Sequence, residues 1–217
     1  VSGEGQSVSF TYTVVGGEYR VETIRDGEGH TTTYSYDPEN NTTSITDALN
    51  RTVVYGYDDK GQLIRVTQQS AQGAALTTIY DYDASGNLTG VTNPADESTV
   101  FEYNAEGLLV LKRDAAGNTV EYHYENRLLV SEVSYLIADP DGDSSILPGE
   151  PVVNRFTYSA SGQLRFSVSA EGRVTERSYN DLGQLEATIS YPQAVFPLDG
   201  VTASASLSES ESVSYTH

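Results

Sequence analysis

The chain contains no cysteine, no methionine and no tryptophan. Without cysteine there can be no disulfide, no thiolate metal site and no cysteine nucleophile. Basic residues are scarce: 12 Lys and Arg stand against 31 Asp and Glu, a formal net charge of −19. A surface of that sign repels phosphate backbones and anionic lipid, which disfavours nucleic-acid and membrane-surface binding. Histidine occurs only as His30, His123 and His217. No apolar run approaches the ~18 residues of a membrane helix, and the residues from Val1 onward show no signal-peptide pattern. With no initiating methionine, the sequence reads as a processed product or a segment of a longer chain.

What is present is ordered. The 217 residues allow one or two domains. Thr, Val, Tyr and Ile fall in short alternating runs, and Gly, Asn and Asp fall between them. That is the punctuation of many short strands.

The runs repeat. A Tyr, a small polar turn ending in Gly, and a Leu six residues after the Tyr recur as Tyr57…Gly61…Leu63, Tyr82…Gly86…Leu88 and Tyr103…Gly107…Leu109, then as Tyr158…Gly162…Leu164 and Tyr179…Gly183…Leu185. Tyr36 and Tyr124 open degenerate copies. Successive anchors are separated by 21, 25, 21, 21, 34 and 21 residues. A second turn lies between anchors, as in Asp26…Gly29, Asp47…Asn50, Asn93…Asp96, Asp114…Gly117 and Ser169…Gly172. The residues exceeding the period fall where this second turn belongs, in Gln68–Leu76 and Ala138–Val153. Insertions that respect turns while the strands keep their period mark a real structural repeat.

An Asp or Asn folds its side chain back onto the backbone two residues on, and a Gly three residues on takes a positive φ. Each such block predicts a reversal of four or five residues. Each unit then holds two antiparallel strands. Seven units predict about fourteen strands, with a worn copy around Phe10–Arg25. On the strand into each anchor, residues two and four before the Tyr share its face. They include Tyr34, Tyr55, Tyr80, Phe101, Tyr122 and Phe156. The intervening residues are mostly polar: Thr33, Ser35, Val54, Gly56, Asp81, Glu102, Glu121, His123, Glu176 and Ser178. This predicts one aromatic face and one wet face throughout.

These units resemble the YD repeats of the Rhs family, named for the Tyr-Asp intact here at Tyr36-Asp37, Tyr57-Asp58 and Tyr82-Asp83. The resemblance covers about Thr11–Tyr191. It implies hairpins wound into one spiralling sheet that closes as a hollow shell. In bacterial polymorphic toxins and in the B/C components of insecticidal toxin complexes, that shell encloses a C-terminal toxic domain. This chain shows no Asp-rich self-cleavage block, no nuclease motif and no variable toxin segment. Its lack of cysteine sets it apart from the animal teneurins. Sheet width agrees with curling: about fourteen strands at ~4.8 Å make a ribbon ~65–70 Å wide, and open sheets beyond ~10 strands curl or split. A propeller with two units per blade stays open as an alternative.

Asp139, Asp141, Asp143 and Glu150 have the spacing of a calcium loop, but Ser144 replaces the turn glycine and Pro148 intrudes, so a solvated acidic loop is the plainer reading. The aromatic face could stack sugars or bases, or simply pack. His123 reads as an ordinary strand residue, and no Ser, His and Asp share a triad spacing.

The expectation is therefore an all-β fold of tandem ~21-residue YD-repeat hairpins in a curled, spiralling antiparallel sheet, a segment of a hollow shell. Residues 1–25 form a degenerate first repeat. Residues 26–191 form the array, with insertions at 68–76 and 138–153, and residues 192–217 form a Ser-rich tail or linker. The function expected is that of a structural scaffold in a secreted or cell-surface bacterial, toxin-encapsulating protein. No catalytic, cofactor-binding or metal residue is assigned. The partners implied are other YD repeats of the same parent and an encapsulated C-terminal toxin, with no nucleic acid and no membrane insertion. The alternative is an adhesin-like surface module binding glycan or protein through its aromatic strands.

Overall fold

The computed structural model describes residues 7–69, 73–139 and 149–195. Every regular element among them is a β-strand. The strands are β1 (Ser9–Val15), β2 (Glu18–Arg25), β3 (Thr31–Asp37), β4 (Thr42–Thr46), β5 (Thr52–Tyr57), β6 (Leu63–Gln69), β7 (Ala75–Tyr82) and β8 (Leu88–Thr92). They continue as β9 (Ser98–Tyr103), β10 (Leu109–Arg113), β11 (Thr119–Glu125), β12 (Leu128–Ile137), β13 (Gly149–Tyr158), β14 (Leu164–Val168), β15 (Arg173–Tyr179) and β16 (Leu185–Val195). They form an antiparallel sheet whose hydrogen-bonded order is the chain order, β1 to β16. Tight reversals dictate that order, because a loop of a few residues can only lay a strand beside the one it left. The chain divides into two compact units, Val1–Thr99 and Val100–His217.

In the first unit the aromatic face is laid out in rows. Tyr36, Thr43, Tyr55, Val66 and Thr78 lie opposite one another in turn across β3–β7. Tyr34, Ile45, Val53, Gln68 and Leu76 make a second row. Aromatic side chains beside β-branched ones are favourable cross-strand pairs, each contributing roughly 0.2–1 kcal/mol. The opposite face carries a row of threonines, Thr11, Thr23, Thr33, Thr46 and Thr52, across β1–β5. Their hydroxyls pair at 2.7 Å between Thr11 and Thr23 and at 2.8 Å between Thr46 and Thr52. This unit therefore has one aromatic and one hydroxylated face, as its sequence predicts.

The residues that exceed the period lengthen hairpins. Gln68 pairs with Leu76 and Gln69 with Ala75, so the 25-residue step extends β6 and β7. Pro151, Val152 and Val153 pair with Tyr135, Ser134 and Val133, extending β12 and β13. A longer ladder satisfies the backbone groups that a loop would leave to water. Residues 70–72 and 140–148 lie outside the described set, as do 196–217 of the Ser-rich tail.

The second unit departs from the two-face expectation. Among its described residues the buried hydrophobic ones are Phe166, Val168 and Val174, with Tyr191 packed on them. Phe166 opposes Thr157 and Glu176, and Val168 opposes Arg155 and Val174. Ser167, between them, opposes Phe156. The core thus lies on the face opposite Phe156, among the intervening residues taken to be wet. Ser131 and Thr157 are buried on that same face. A β-bulge turns Phe166 to this face; the first unit has the same bulge but carries Arg65 and Gly90 at that position. At every anchor except Tyr36 the register slips by one: Tyr158 pairs with Leu164, yet Thr157 pairs with Phe166. The extra residue, Arg165 here, shifts the alternation, so Leu164 and Phe166 face opposite sides although they stand two apart. Strict alternation cannot foresee that flip.

Candidate functional site

The repeated chemistry sits in the turns. Ten loops among the described residues share one construction, opening on Asp26, Asp47, Asp58, Asp83, Asn93, Asn104, Asp114, Ser159, Ser169 and Asn180. In the loop from Asp83, the Asp83 N–H donates to the Asn87 carbonyl at 3.0 Å and the Gly86 N–H donates to the Asp83 carbonyl at 3.1 Å. The Asp83 carboxylate accepts the Asn87 N–H at 2.9 Å through Oδ1 and the Asn87 side-chain amide at 2.9 Å through Oδ2. The fourth residue has a positive φ in all ten, and is Gly in eight, Asn50 and Asp96 being the others. Asp and Asn open the loop by offering an oxygen to N–H groups two and four residues on, and Ser159 and Ser169 by offering theirs to the N–H four residues on.

That use of the carboxylates shifts them. Asp83 and Asp114 are held below the usual carboxylate range, first by the side-chain amides of Asn87 and Asn118 and then by backbone N–H groups. Asp47 is lowered by the Arg51 N–H and then by its guanidinium. A carboxylate depressed in the folded state stabilises it above the unfolded value, about 3.9, and loses that effect as pH falls through the folded value. The melting temperature is expected to hold above about pH 5 and fall below about pH 4. Combined Asp47→Asn, Asp83→Asn and Asp114→Asn should flatten this acid limb in a thermal melt series. An unchanged limb would mean that these carboxylates are not its source.

The anchor tyrosines tie neighbouring hairpins together. The Tyr36 hydroxyl donates to the Val21 carbonyl at 2.8 Å, Tyr82 to Leu63 at 2.9 Å, Tyr158 to Leu129 at 2.8 Å and Tyr179 to Leu164 at 2.9 Å. Each reaches the strand of the preceding unit. The turns are tied as well: Gln62 Nε2 donates to the Gly86 carbonyl at 3.3 Å and Gln163 Nε2 to the Gly183 carbonyl at 3.2 Å. Spacing along the sequence points to packing or stacking for these rings and does not show the ties. The signal was there. All seven anchors are Tyr, whereas two residues earlier Phe101, Phe156 and Arg177 are tolerated, and the hydroxyl is used at Tyr36, Tyr82, Tyr158 and Tyr179. Tyr82→Phe and Tyr179→Phe are each expected to cost about 1 kcal/mol. Tyr19→Phe, at an 81% exposed position, should cost nothing measurable in denaturant titration.

The other residues singled out from sequence do not come together. His123 is an exposed residue of β11, with Nε2 3.6 Å from the Glu121 carboxylate. Asp139 is buried and its N–H donates to the Gly117 carbonyl at 3.0 Å, while Asp141, Asp143, Ser144 and Pro148 lie outside the described residues. Among the described residues no group of His, Asp and Glu has the arrangement of a metal site.

The model of the RHS repeat family matches three overlapping segments, residues 36–75, 57–98 and 82–119. Residues 36–119 are a run of RHS repeats. The matched segments begin at Tyr36, Tyr57 and Tyr82, the tyrosines that open the turns, and the same turn construction recurs beyond them at Ser159, Ser169 and Asn180. An RHS repeat is here a structural unit: its polar side chains close their own turns and bind the next hairpin. No curated protein is similar to the chain by sequence. Among solved structures it is similar to TcdB2-TccC3-Cdc42, with 15% identity, a TM-score of 0.37, and coverage of 87% of this chain and 14% of that one. The Photorhabdus luminescens Tc holotoxin pore with the TccC3-D651A mutation has 14% identity, a TM-score of 0.33, and coverage of 79% and 14%. A porin-like protein from Bacteroides uniformis has 13% identity, a TM-score of 0.36, and coverage of 88% and 91%. The chain spans about a seventh of the length of the first of these.

Proposed function

We propose that this RHS-repeat chain is a wall segment of a secreted or cell-surface bacterial protein whose repeats enclose a C-terminal toxic segment of the same parent, and that it performs no catalysis itself. The observation that supports this reading is the use of its polar groups. The Asp, Asn and Ser side chains that open the turns are engaged by those turns, and the hydroxyls of Tyr36, Tyr82, Tyr158 and Tyr179 by neighbouring strands. What remains is a repeated surface. The charge of −19 would keep a large secreted assembly soluble and would favour a basic cargo.

Limited proteolysis of the purified parent protein tests the reading. A segment downstream of the repeats should survive protease under native conditions and be digested once the repeats are unfolded. Equal digestion in both states would contradict the enclosing role.

A further inference from the structure

Among the described residues the strand order ends on β1, which is hydrogen-bonded to β2 alone. Its other edge presents a row of backbone N–H and C=O groups that no strand meets. The side chains do not guard that edge. β1 reads SFTYTVV, with no charge, no proline and no glycine. The other terminal strand, β16, carries Glu186 and Pro192. Charged residues and prolines are common means by which exposed edges are kept from pairing. On the aromatic face of β1, Val8, Phe10, Tyr12 and Val14 stand in line, each at least half exposed.

We propose that β1 is a docking edge for a second copy of the same chain, the two β1 strands pairing antiparallel about a two-fold axis at Tyr12. The argument is one of symmetry and charge. A two-fold axis normal to the sheet leaves every residue on the face it already occupies. Residues directly opposite one another share a face, so one residue of the strand must lie on the axis. Centring on Tyr12 pairs all seven residues of Ser9–Val15. Tyr12 then meets its own counterpart, and Phe10 meets Val14, on the aromatic face. Thr11 meets Thr13 on the hydroxylated face. The sheet already uses both kinds of pair: Tyr55 lies opposite Val66, and Thr11 is hydrogen-bonded to Thr23. Charge does not oppose the contact locally, because β2 carries Glu18 and Glu22 against Arg20 and Arg25. The net −19 acts from farther away and is screened by salt. The dimer is closed, since each copy contributes its one unguarded edge. The proposal concerns this edge alone and does not rest on the enclosing reading.

Sedimentation velocity of the 217-residue chain over a range of concentrations, at low and high salt, tests it. A monomer–dimer equilibrium is expected, with the dimer favoured by salt and no larger species. Tyr12→Lys and Tyr12→Glu both place like charges on the axis, and each should weaken dimerisation about tenfold or more although they change the net charge in opposite directions. Ile189→Lys, on β16, should dimerise as the parent chain does. Crosslinking keeps Tyr12 in place and reads the register. The chain has no cysteine, so introduced thiols report this contact alone. Opposed Cα atoms in an antiparallel pair are ~4.5–5.5 Å apart, within disulfide reach. Under mild oxidant a mixture of Thr11→Cys and Thr13→Cys chains should form a disulfide-linked dimer, and either variant alone far less, because like positions are offset by two residues. Four results would overturn the proposal: a monomer under all conditions, larger oligomers in place of a dimer, undiminished dimerisation of the Tyr12 variants, or crosslinking as strong in Thr13→Cys alone as in the mixture.

Discussion

Replacing Phe166 by alanine is expected to destabilise the second unit by about 3 kcal/mol, the lower part of the range for buried aromatic truncation. Phe166 is 4% exposed and belongs, among the described residues, to a cluster of three buried hydrophobic residues, so little around it can collapse into the space. The neighbouring Ser167→Ala should cost much less, about 0.5–1 kcal/mol, chiefly through the hydrogen bond its hydroxyl accepts from Arg177. The pair tests the bulge as well as the burial. Unbroken alternation from Leu164 would keep Phe166 on the anchor face, where aromatics are only half-buried, and its truncation would then resemble that of Phe156. Urea denaturation of the three variants distinguishes the cases: Phe166→Ala well below Phe156→Ala supports the flipped core, and equal midpoints contradict it.

Gly86→Val and Gly107→Val should each cost about 1–3 kcal/mol, because a β-branched residue is strained at positive φ. Gly86 has φ +92° and Gly107 φ +74°. At Gly86 an added Cβ would also come within 3.3 Å of Gln62 Nε2, whose amide donates to the Gly86 carbonyl, so strain and loss of a tie fall together. Asp96 occupies the same turn position at φ +61°. Asp96→Gly should be neutral or mildly stabilising, since glycine removes that strain. The same rank order should appear in thermal melts. A valine at Gly86 tolerated as well as a glycine at Asp96 would mean that the fourth turn position carries no conformational requirement.

Much of the fold is written in residues that act locally. Asp83 needs only Asn87 and Gly86 to close its loop, so spacing within five residues predicts the turn, and the turns then predict strand order. The pairing of Tyr34 with Ile45 follows from period two between those turns. Two features are not local. The bulge that moves Phe166 to the opposite face arises where two strands meet, and Arg165 looks in sequence like any alternating residue. The hydroxyl ties need the neighbouring unit in place before Tyr82 can find Leu63. The stacking of Arg20 on Tyr36 is not local either: it arises because the worn first repeat folds as β1 and β2 beside β3.

The central claim is that each turn is closed by its own polar side chains and that these closures, repeated, hold the sheet in chain order. Residue-resolved amide hydrogen exchange measures it directly. Loop amides at exposed tips ordinarily exchange fast. Here the N–H groups of Asp83, Gly86 and Asn87, and of Ser159, Gly162 and Gln163, are hydrogen-bonded within their turns. They are expected to exchange as slowly as the strand amides of β7 and β14 that flank them. Exchange of these six amides at unstructured-peptide rates, with the strands still protected, would contradict the account.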